Sequence, residues 1–321
     1  MTYSETYEEW ARYKKRMVKD STMCAYSQIH YKYLAPAFGN INVCSIGRKD
    51  VQAFVYDMLD AGLCVKSVRD LLIVLKMVVR YAAEEYEIPV NISWRIDWPS
   101  QNMNTDHVLE RYSAEETRRI MESVLAKPAP FKLGILLALT TGMRIGEVCG
   151  LRFEDLDWET RTLKVCRTVE RYYIINSDGT PGGVTRLVLN EPKTKNSRRV
   201  IPLPRAVMPM LKAYSQVSNP DYYICTLSEK VLEPRTYRNF YRNFILKEVG
   251  LKRCLKFHAL RHTFASMLVE NGTDVKTVAS ILGHSNVSTT LNVYSHPSEE
   301  AKRSAIRTTM DRLLKKGGSR S

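Results

Sequence analysis

The sequence predicts a mainly α-helical fold with a small β-sheet, divided into two domains. Three observations carry this. Apolar residues recur at helical spacing across most of the first 88 positions. An aperiodic stretch at 90–112, containing Pro, Asn and Ser, reads as a linker. Beyond it, a mainly helical segment is interrupted once by short runs of strand-forming residues between turn-rich loops. With 321 residues the chain is long enough for each part to bury its own core.

Within the first domain, residues 1–89, Ser21 is placed to cap a helix through Tyr26, Ile29, Tyr33 and Leu34 that stops near Gly39. A second helix follows Asp50, with Val51, Phe54, Val55, Met58 and Leu59 on one face, and ends at Gly62. The clearest is 65–87, where Val68, Leu71, Leu72, Leu75, Val79 and Ala82 form an apolar face. Lys66, Arg69, Lys76 and Arg80 fall within about 80° of arc beside it. A helix lying against DNA would show such a stripe, and so would a solvated charged face.

The second domain, 113–298, opens on a capping box, Ser113 with Glu116. Strands are expected at 162–169, 186–189 and 199–203, joined by SDGTPGG and TKNS. Residues 299–316 read as a tail helix, with Ala301, Ile306, Met310, Leu313 and Leu314 available for one apolar face. Seven basic residues and one acid lie between 302 and 321. A helix so near a chain end needs a surface to dock on.

Charge narrows the function. The chain carries 48 Lys and Arg against 34 Asp and Glu, a formal net charge of +14. Residues 1–100 are nearly neutral, with 13 basic and 12 acidic side chains, so the excess lies in the second part. An excess of this kind points to a polyanion, and nucleic acid is the usual one. The seven cysteines are scattered with no CxxC pair, which argues against a disulfide framework or zinc ribbon and for a reducing compartment. The start, MTYSETYEEWARYKK, has charges where a signal peptide needs an apolar run. A cytoplasmic location is therefore expected.

Three clusters carry the chemistry. In TTGMRIGEVCGLR, residues 140–152, Arg144 is followed three positions later by Glu147, as in a guanidinium held by a carboxylate or in a structural ion pair. In HALRHTFAS, His258, Arg261 and His262 share one helical face suited to an oxyanion such as phosphate. The zinc pattern HExxH is absent, since position 259 is Ala. In LGHSNVSTTLNVYSH, His284 precedes Tyr294 and His296, so four of the six histidines lie between 258 and 296.

Together, in this order and spacing, the clusters resemble the tyrosine recombinase (phage integrase) family. TGMRIGE resembles its first arginine box, HALRHTFAS its His-x-x-Arg box, and LGHSNVSTTLNVY its closing His-then-Tyr segment. STMCAYSQIHYKYLAPAFGN and VKSVRDLLIVLKMVVRYA resemble, more weakly, its SAM-like core-site binding domain. The resemblance implies a helical core-site domain and an α+β catalytic domain clamped around DNA as a C shape. It implies a site-specific recombinase of integrase or invertase type, with Tyr294 as nucleophile, leaving a 3′-phosphotyrosine without metal, cofactor or ATP. Arg144 and Arg261 would grip the phosphate, Glu147 would orient Arg144, and His258 would exchange the nucleophile's proton. His284 would donate to the phosphate, while His262 and His296 would be structural.

By the same resemblance, the general acid is a lysine on the hairpin containing PKTKNSRRVIPL. Lys195, nearest the turn, is favoured over Lys193. Lys66, Arg69, Lys76, Arg80, Lys193 and Arg199 are the candidate DNA contacts. The implied partners are double-stranded DNA with paired recombination sites, further copies of the chain (a dimer per site, a tetramer in synapsis) and an accessory directionality factor. The tail would dock on the neighbouring protomer, with its own domain as the alternative. The core-binding resemblance begins almost at Thr2, so no separate arm-binding domain is expected, which leaves room for an invertase or resolvase. Residues 172–189 are long for the family's hairpin region and have no assigned role. A non-catalytic DNA-binding relative would show damage to the catalytic set, yet a residue for every role is present. A type IB topoisomerase-like enzyme would need no separate site-selecting domain.

Overall fold

The computed structural model describes residues 1–87, 92–99, 110–176, 180–191, 198–284, 286, 287, 303 and 307. The chain forms two compact units, Met1–His107 with Arg171–Arg186, and Val108–Glu170 with Leu187–Ser321. The expectation of a mainly helical fold with small sheets holds.

The first unit contains α1 (Tyr3–Lys15), α2 (Asp20–Ile29), α3 (Ala35–Phe38), α4 (Arg48–Asp60) and α5 (Val65–Glu85). The Thr2 hydroxyl accepts from the Glu5 N–H and the Glu5 carboxylate from the Thr2 N–H, closing a capping box on α1. The helix expected to start at Ser21 starts at Asp20 with Lys19 as cap residue, so an acid sits in its first turn, where the helix dipole favours it. It continues through a π-helical turn, His30–Leu34, that buries His30 and Leu34. On α4 the Asp50 carboxylate caps the Gly47 N–H, and Val51, Phe54 and Val55 face inward. The core of the unit forms along α5, through Val68, Leu71, Leu72, Val74, Leu75, Val78, Val79 and Ala82.

Part of the stretch read as linker belongs to this core. Trp94 is buried in it, and Ile92, Ile96 and Trp98 pack against it. Arg48 donates to the Arg95 carbonyl at 2.7 Å, and Gln52 exchanges two hydrogen bonds with the backbone of Asp97. This is an extended strap whose apolar residues alternate, a period-two pattern that a search for helical periodicity passes over.

The second unit begins with α6 (Ala114–Ala126), whose Ser113–Glu116 capping box forms as expected. Next come α7 (Pro130–Thr141), buried on nearly every side, and the short α8 (Ile145–Cys149). They lead into an antiparallel sheet in the order β1 (Leu156–Asp157), β2 (Thr162–Val165) and β5 (Arg199–Pro202), with Leu163 opposite Ile201. Helices α9 (Met208–Ser215), α10 (Pro234–Asn243), α11 (His258–Glu270) and α12 (Val275–Leu282) complete the unit.

The β region differs from expectation: β1 is not among the expected strands, and the strand expected at 186–189 runs from Pro181 to Asn190, into the stretch read as a turn. The run 162–169 is not one strand. It breaks at Cys166 and Arg167, whose side chains both bond to Asp155. Beyond the break the chain forms a separate hairpin, β3 (Thr168–Ile175) with β4 (Pro181–Asn190). Its described residues from Arg171 to Arg186 belong to the first unit, where Ile175 is buried and the Lys15 ammonium donates to the carbonyls of Ile175 and Asn176 at 3.1 and 2.6 Å. The unassigned stretch 172–189 thus has a structural place.

Candidate active site

The first motif is delivered by the turn between α7 and α8. Gly142 ends α7 with φ +68°, a conformation L side chains rarely adopt. A Cβ there would also lie 2.6 Å from Leu282 Cδ2 and 2.7 Å from Phe264 Cδ1. Two residues on, Arg144 caps α8. Glu147, one turn into the helix, reaches back: its Oε2 accepts from the Arg144 backbone N–H at 2.9 Å and its Oε1 from the Arg144 guanidinium at 3.0 Å. A Cβ on Gly146 would stand 2.6 Å from Thr168 Oγ1, so this position lets α8 sit close on β3.

Arg261, on α11, is only 1% exposed. Its guanidinium donates to the carbonyls of Gly142 and Leu282, both at 2.8 Å. These carbonyls lie at the C-terminal ends of α7 and α12, the negative poles of two helix dipoles. A cation is held where they meet. One side chain thereby joins the first motif to the third, since Leu282 and the αL residue Gly283 lead directly into His284. The His284 backbone N–H donates to the Ala279 carbonyl at 3.0 Å. His258 is the first residue of α11, and its ring meets that of His262 edge to face at 4.6 Å.

Burial and neighbouring charge shift the histidines of the site. Desolvation lowers the pKa of His258 to about 4, and the charges of His262, Arg261 and Arg144 add to it against an opposing effect of Glu147. His284 is likewise lowered to about 4 by desolvation, then by Arg261, Arg144, His258 and Arg199. Desolvation and Arg261 lower His262 as well. The structure therefore brings Arg144, His258, Arg261 and His284 into one positive site. The carboxyl of Glu147 would be raised by its burial, but hydrogen bonds and charge from Arg199, with Arg144, outweigh this and hold it below its ordinary value.

An unfolded histidine titrates near 6.5. As pH falls from there toward 4, the unfolded chain takes up protons that the folded site refuses. Stability of the second unit is accordingly expected to fall through that window. Imidazole NMR on the DNA-free protein at pH 6 should show His258 and His284 neutral. Fully charged rings at that pH would contradict the account of the site.

Arg199 corrects the sequence reading. Expected as a DNA contact, it is buried, and both terminal nitrogens bond the two oxygens of Glu147 at 3.0 and 2.9 Å. Its Nε donates to the Ile281 carbonyl at 2.7 Å. On α5, by contrast, Lys66, Arg69 and Arg80 are exposed and Lys76 is half-buried. Arg69 stacks over the Trp98 ring at 5.0 Å, and Ile73, 49% exposed, stands among the four cations. Tyr294, Lys193, Lys195 and His296 lie outside the described residues, as does nearly all of the tail. Among the described residues there is no cluster of three His, Cys, Asp or Glu groups able to hold a metal.

Comparison with known proteins agrees with this geometry. The model of the phage integrase family matches residues 110–301, and that of the phage integrase N-terminal SAM-like domain matches residues 2–59. A XerC-like tyrosine recombinase of Caldanaerobacter subterraneus subsp. tengcongensis is 31% identical over 284 residues, covering 82% of this chain and 71% of its own length. The Tn1549 transposon integrase in complex with transposon right end DNA superposes with a TM-score of 0.76 at 22% identity, over 98% of this chain and 100% of that one. A lambda integrase tetramer bound to a Holliday junction gives a TM-score of 0.62 at 18% identity, over 93% and 80%. These last two likenesses are of fold. With Arg144, His258, Arg261 and His284 gathered at one site, and its sequence matched over more than half its length, the chain belongs to the phage integrase family of tyrosine recombinases, enzymes of site-specific DNA recombination.

Proposed function

We propose that this site cleaves and rejoins DNA through a phosphotyrosine bond to Tyr294. The observation that carries the reading is the convergence of Arg144, Arg261, His258 and His284, two guanidiniums and two neutral imidazoles with depressed pKa. The phenol oxygen of Tyr294 attacks the scissile phosphorus and a P–O(Tyr) bond forms as the P–O5′ bond breaks. His258 takes the phenol proton, and a lysine of the segment 192–197, Lys195 before Lys193, protonates the leaving 5′-oxygen. Charge building on the non-bridging oxygens meets donors fixed before DNA arrives, where electrostatic stabilisation is most effective. Arginine suits this task, because its planar fork matches two oxygens at once.

One phosphoester replaces another, so the bond energy is retained. A 5′-hydroxyl of the partner strand then reverses the step, and neither ATP nor metal enters. Burial is the larger cause of the depressed imidazole pKa values and the neighbouring cations add to it; a bound phosphodiester offsets that added charge, and so raises the basicity of His258 when substrate is in place.

The α5 face bearing Lys66, Arg69, Lys76 and Arg80 supplies contacts to the DNA backbone, which position rather than specify. Strand exchange needs two cut sites held together, and the lambda integrase tetramer supports a tetramer of this chain at synapsis. In this reading the tail couples protomers, and a directionality factor would act on that assembly.

The lysine assignment separates proton donation from the rest. Lys195→Ala should fail on ordinary DNA and recover on a 5′-bridging phosphorothiolate, whose sulfur leaves without a proton. Such rescue seen with Lys193→Ala instead would move the acid to Lys193. Rescue of neither would remove these lysines from this role.

A further inference from the structure

The sequence offers Arg199 as one more cation near the basic loop, but the structure gives it a different occupation. Glu147 is buried, and each of its oxygens accepts two hydrogen bonds. Oε1 takes one from Arg144 and one from Arg199, both at 3.0 Å; Oε2 takes the Arg144 backbone N–H and Arg199, both at 2.9 Å. Arg199 therefore holds the carboxylate with both prongs, while the Arg144 guanidinium touches it through one nitrogen. Exposure differs accordingly: the Arg144 side chain is 38% exposed and that of Arg199 6%. In the Arg–Glu–Arg triad the charge of Glu147 is offset by Arg199, and the remaining positive charge stands on Arg144, toward solvent. The third bond of Arg199, to the Ile281 carbonyl, fixes this triad to the last turn of α12, three residues before His284.

We propose that Arg199 is a positioning residue for strand transfer, which occupies Glu147 so that the Arg144 guanidinium stays presented to the scissile phosphate, and which locks the first motif to the backbone of the third. The inference rests on the phosphotyrosine reading and assigns a residue which that reading does not use. Without Arg199, a buried carboxylate would face one cation only. The pairing that best compensates it is a two-pronged one with Arg144, which draws that guanidinium off the phosphate. Lysine at 199 cannot substitute, because a single ammonium does not span two carboxylate oxygens and a carbonyl in the fixed directions a guanidinium offers.

The test uses the full chain in single-turnover cleavage of a nicked suicide substrate at saturating protein, with site affinity by gel shift and thermal melting by circular dichroism. Arg199→Met should slow cleavage by about a hundredfold, as expected for a misplaced group in the reacting geometry, with affinity nearly unchanged. Adding Glu147→Gln removes the uncompensated carboxylate and should restore at least about tenfold, although Glu147→Gln alone slows the enzyme. A 5′-bridging phosphorothiolate should leave the Arg199→Met defect in place, because leaving-group protonation is not what was lost. Arg199→Lys, which keeps the charge and serves if Arg199→Met does not fold, should melt near the parent temperature and still cleave slowly.

The proposal is overturned by normal cleavage in Arg199→Lys or Arg199→Met, or by no recovery on adding Glu147→Gln. It is equally overturned by rescue on the phosphorothiolate, which would place Arg199 behind the lysine segment, or by affinity falling in step with rate, which would make it a DNA contact. Failure of the unaltered protein to form any adduct would instead sink the phosphotyrosine reading itself.

Discussion

Tyr294→Phe is expected to bind a single recombination site as well as the parent protein and to form no covalent adduct with it. The substitution removes one oxygen and keeps the ring, so the proposed nucleophile is lost while the cations of the site remain. In the proposed mechanism the imidazoles and guanidiniums of the site move a proton and hold charge, so neither replaces a lost nucleophile. The loss should be at least ~10⁴-fold, the scale seen when a nucleophile is removed from an otherwise intact site. A denaturing gel of protein mixed with nicked suicide DNA reads the adduct directly, and a gel shift reads the binding. An adduct that persists in Tyr294→Phe would take the nucleophile's role from this residue.

Replacing the two motif arginines should produce effects of similar size on cleavage and different size on folding. Arg144→Ala removes a partly exposed guanidinium, and Glu147 keeps its two-pronged partner in Arg199. Cleavage should fall by about 10²–10³, the scale for an oxyanion donor, with little change in melting temperature. Arg261→Ala should slow cleavage at least as much and also destabilise the second unit by roughly 3 kcal/mol, since two buried carbonyls lose a charged donor. It also frees the end of α7 from the end of α12, so both the first and the third motif lose their setting. Single-turnover rates and melting curves on the two variants check this. Equal melting temperatures would show that the Arg261 clamp does not stabilise the fold, and undiminished cleavage in either variant would show that its guanidinium is not at the phosphate.

How much of this was legible in the sequence depended on the range of the signal. Arg144, His258, Arg261 and His284, which the structure brings together, stand out in the sequence because their motifs are local: a cap residue with its carboxylate one turn on, a helix face, and a glycine before a histidine. The clamp of Arg261 on Gly142 and Leu282 was not, because it spans 119 residues on one side and 21 on the other. Arg199 was misread for its company, a basic loop, although parity argued otherwise. It lies on the same strand face as Ile201, which is buried, and opposite Val200, which is exposed. The same period-two signal marks Ile92, Trp94, Ile96 and Trp98, whose segment reads as linker only when helical spacing is sought. The hairpin of β3 and β4 was seen in part. Its break at Cys166 and Arg167 depends on Asp155, a partner more than ten residues away.

The most direct test of the central claim is to find the covalent bond itself. Unaltered protein is incubated with nicked suicide DNA in excess EDTA, the adduct is digested with trypsin and nuclease, and the nucleotide-bearing peptide is sequenced by mass spectrometry. The expected result is an adduct of undiminished yield, with a 3′-phosphate joined to Tyr294 in the peptide spanning 277–302. Attachment at any other residue, or an adduct that forms only when Mg²⁺ is supplied, would contradict it.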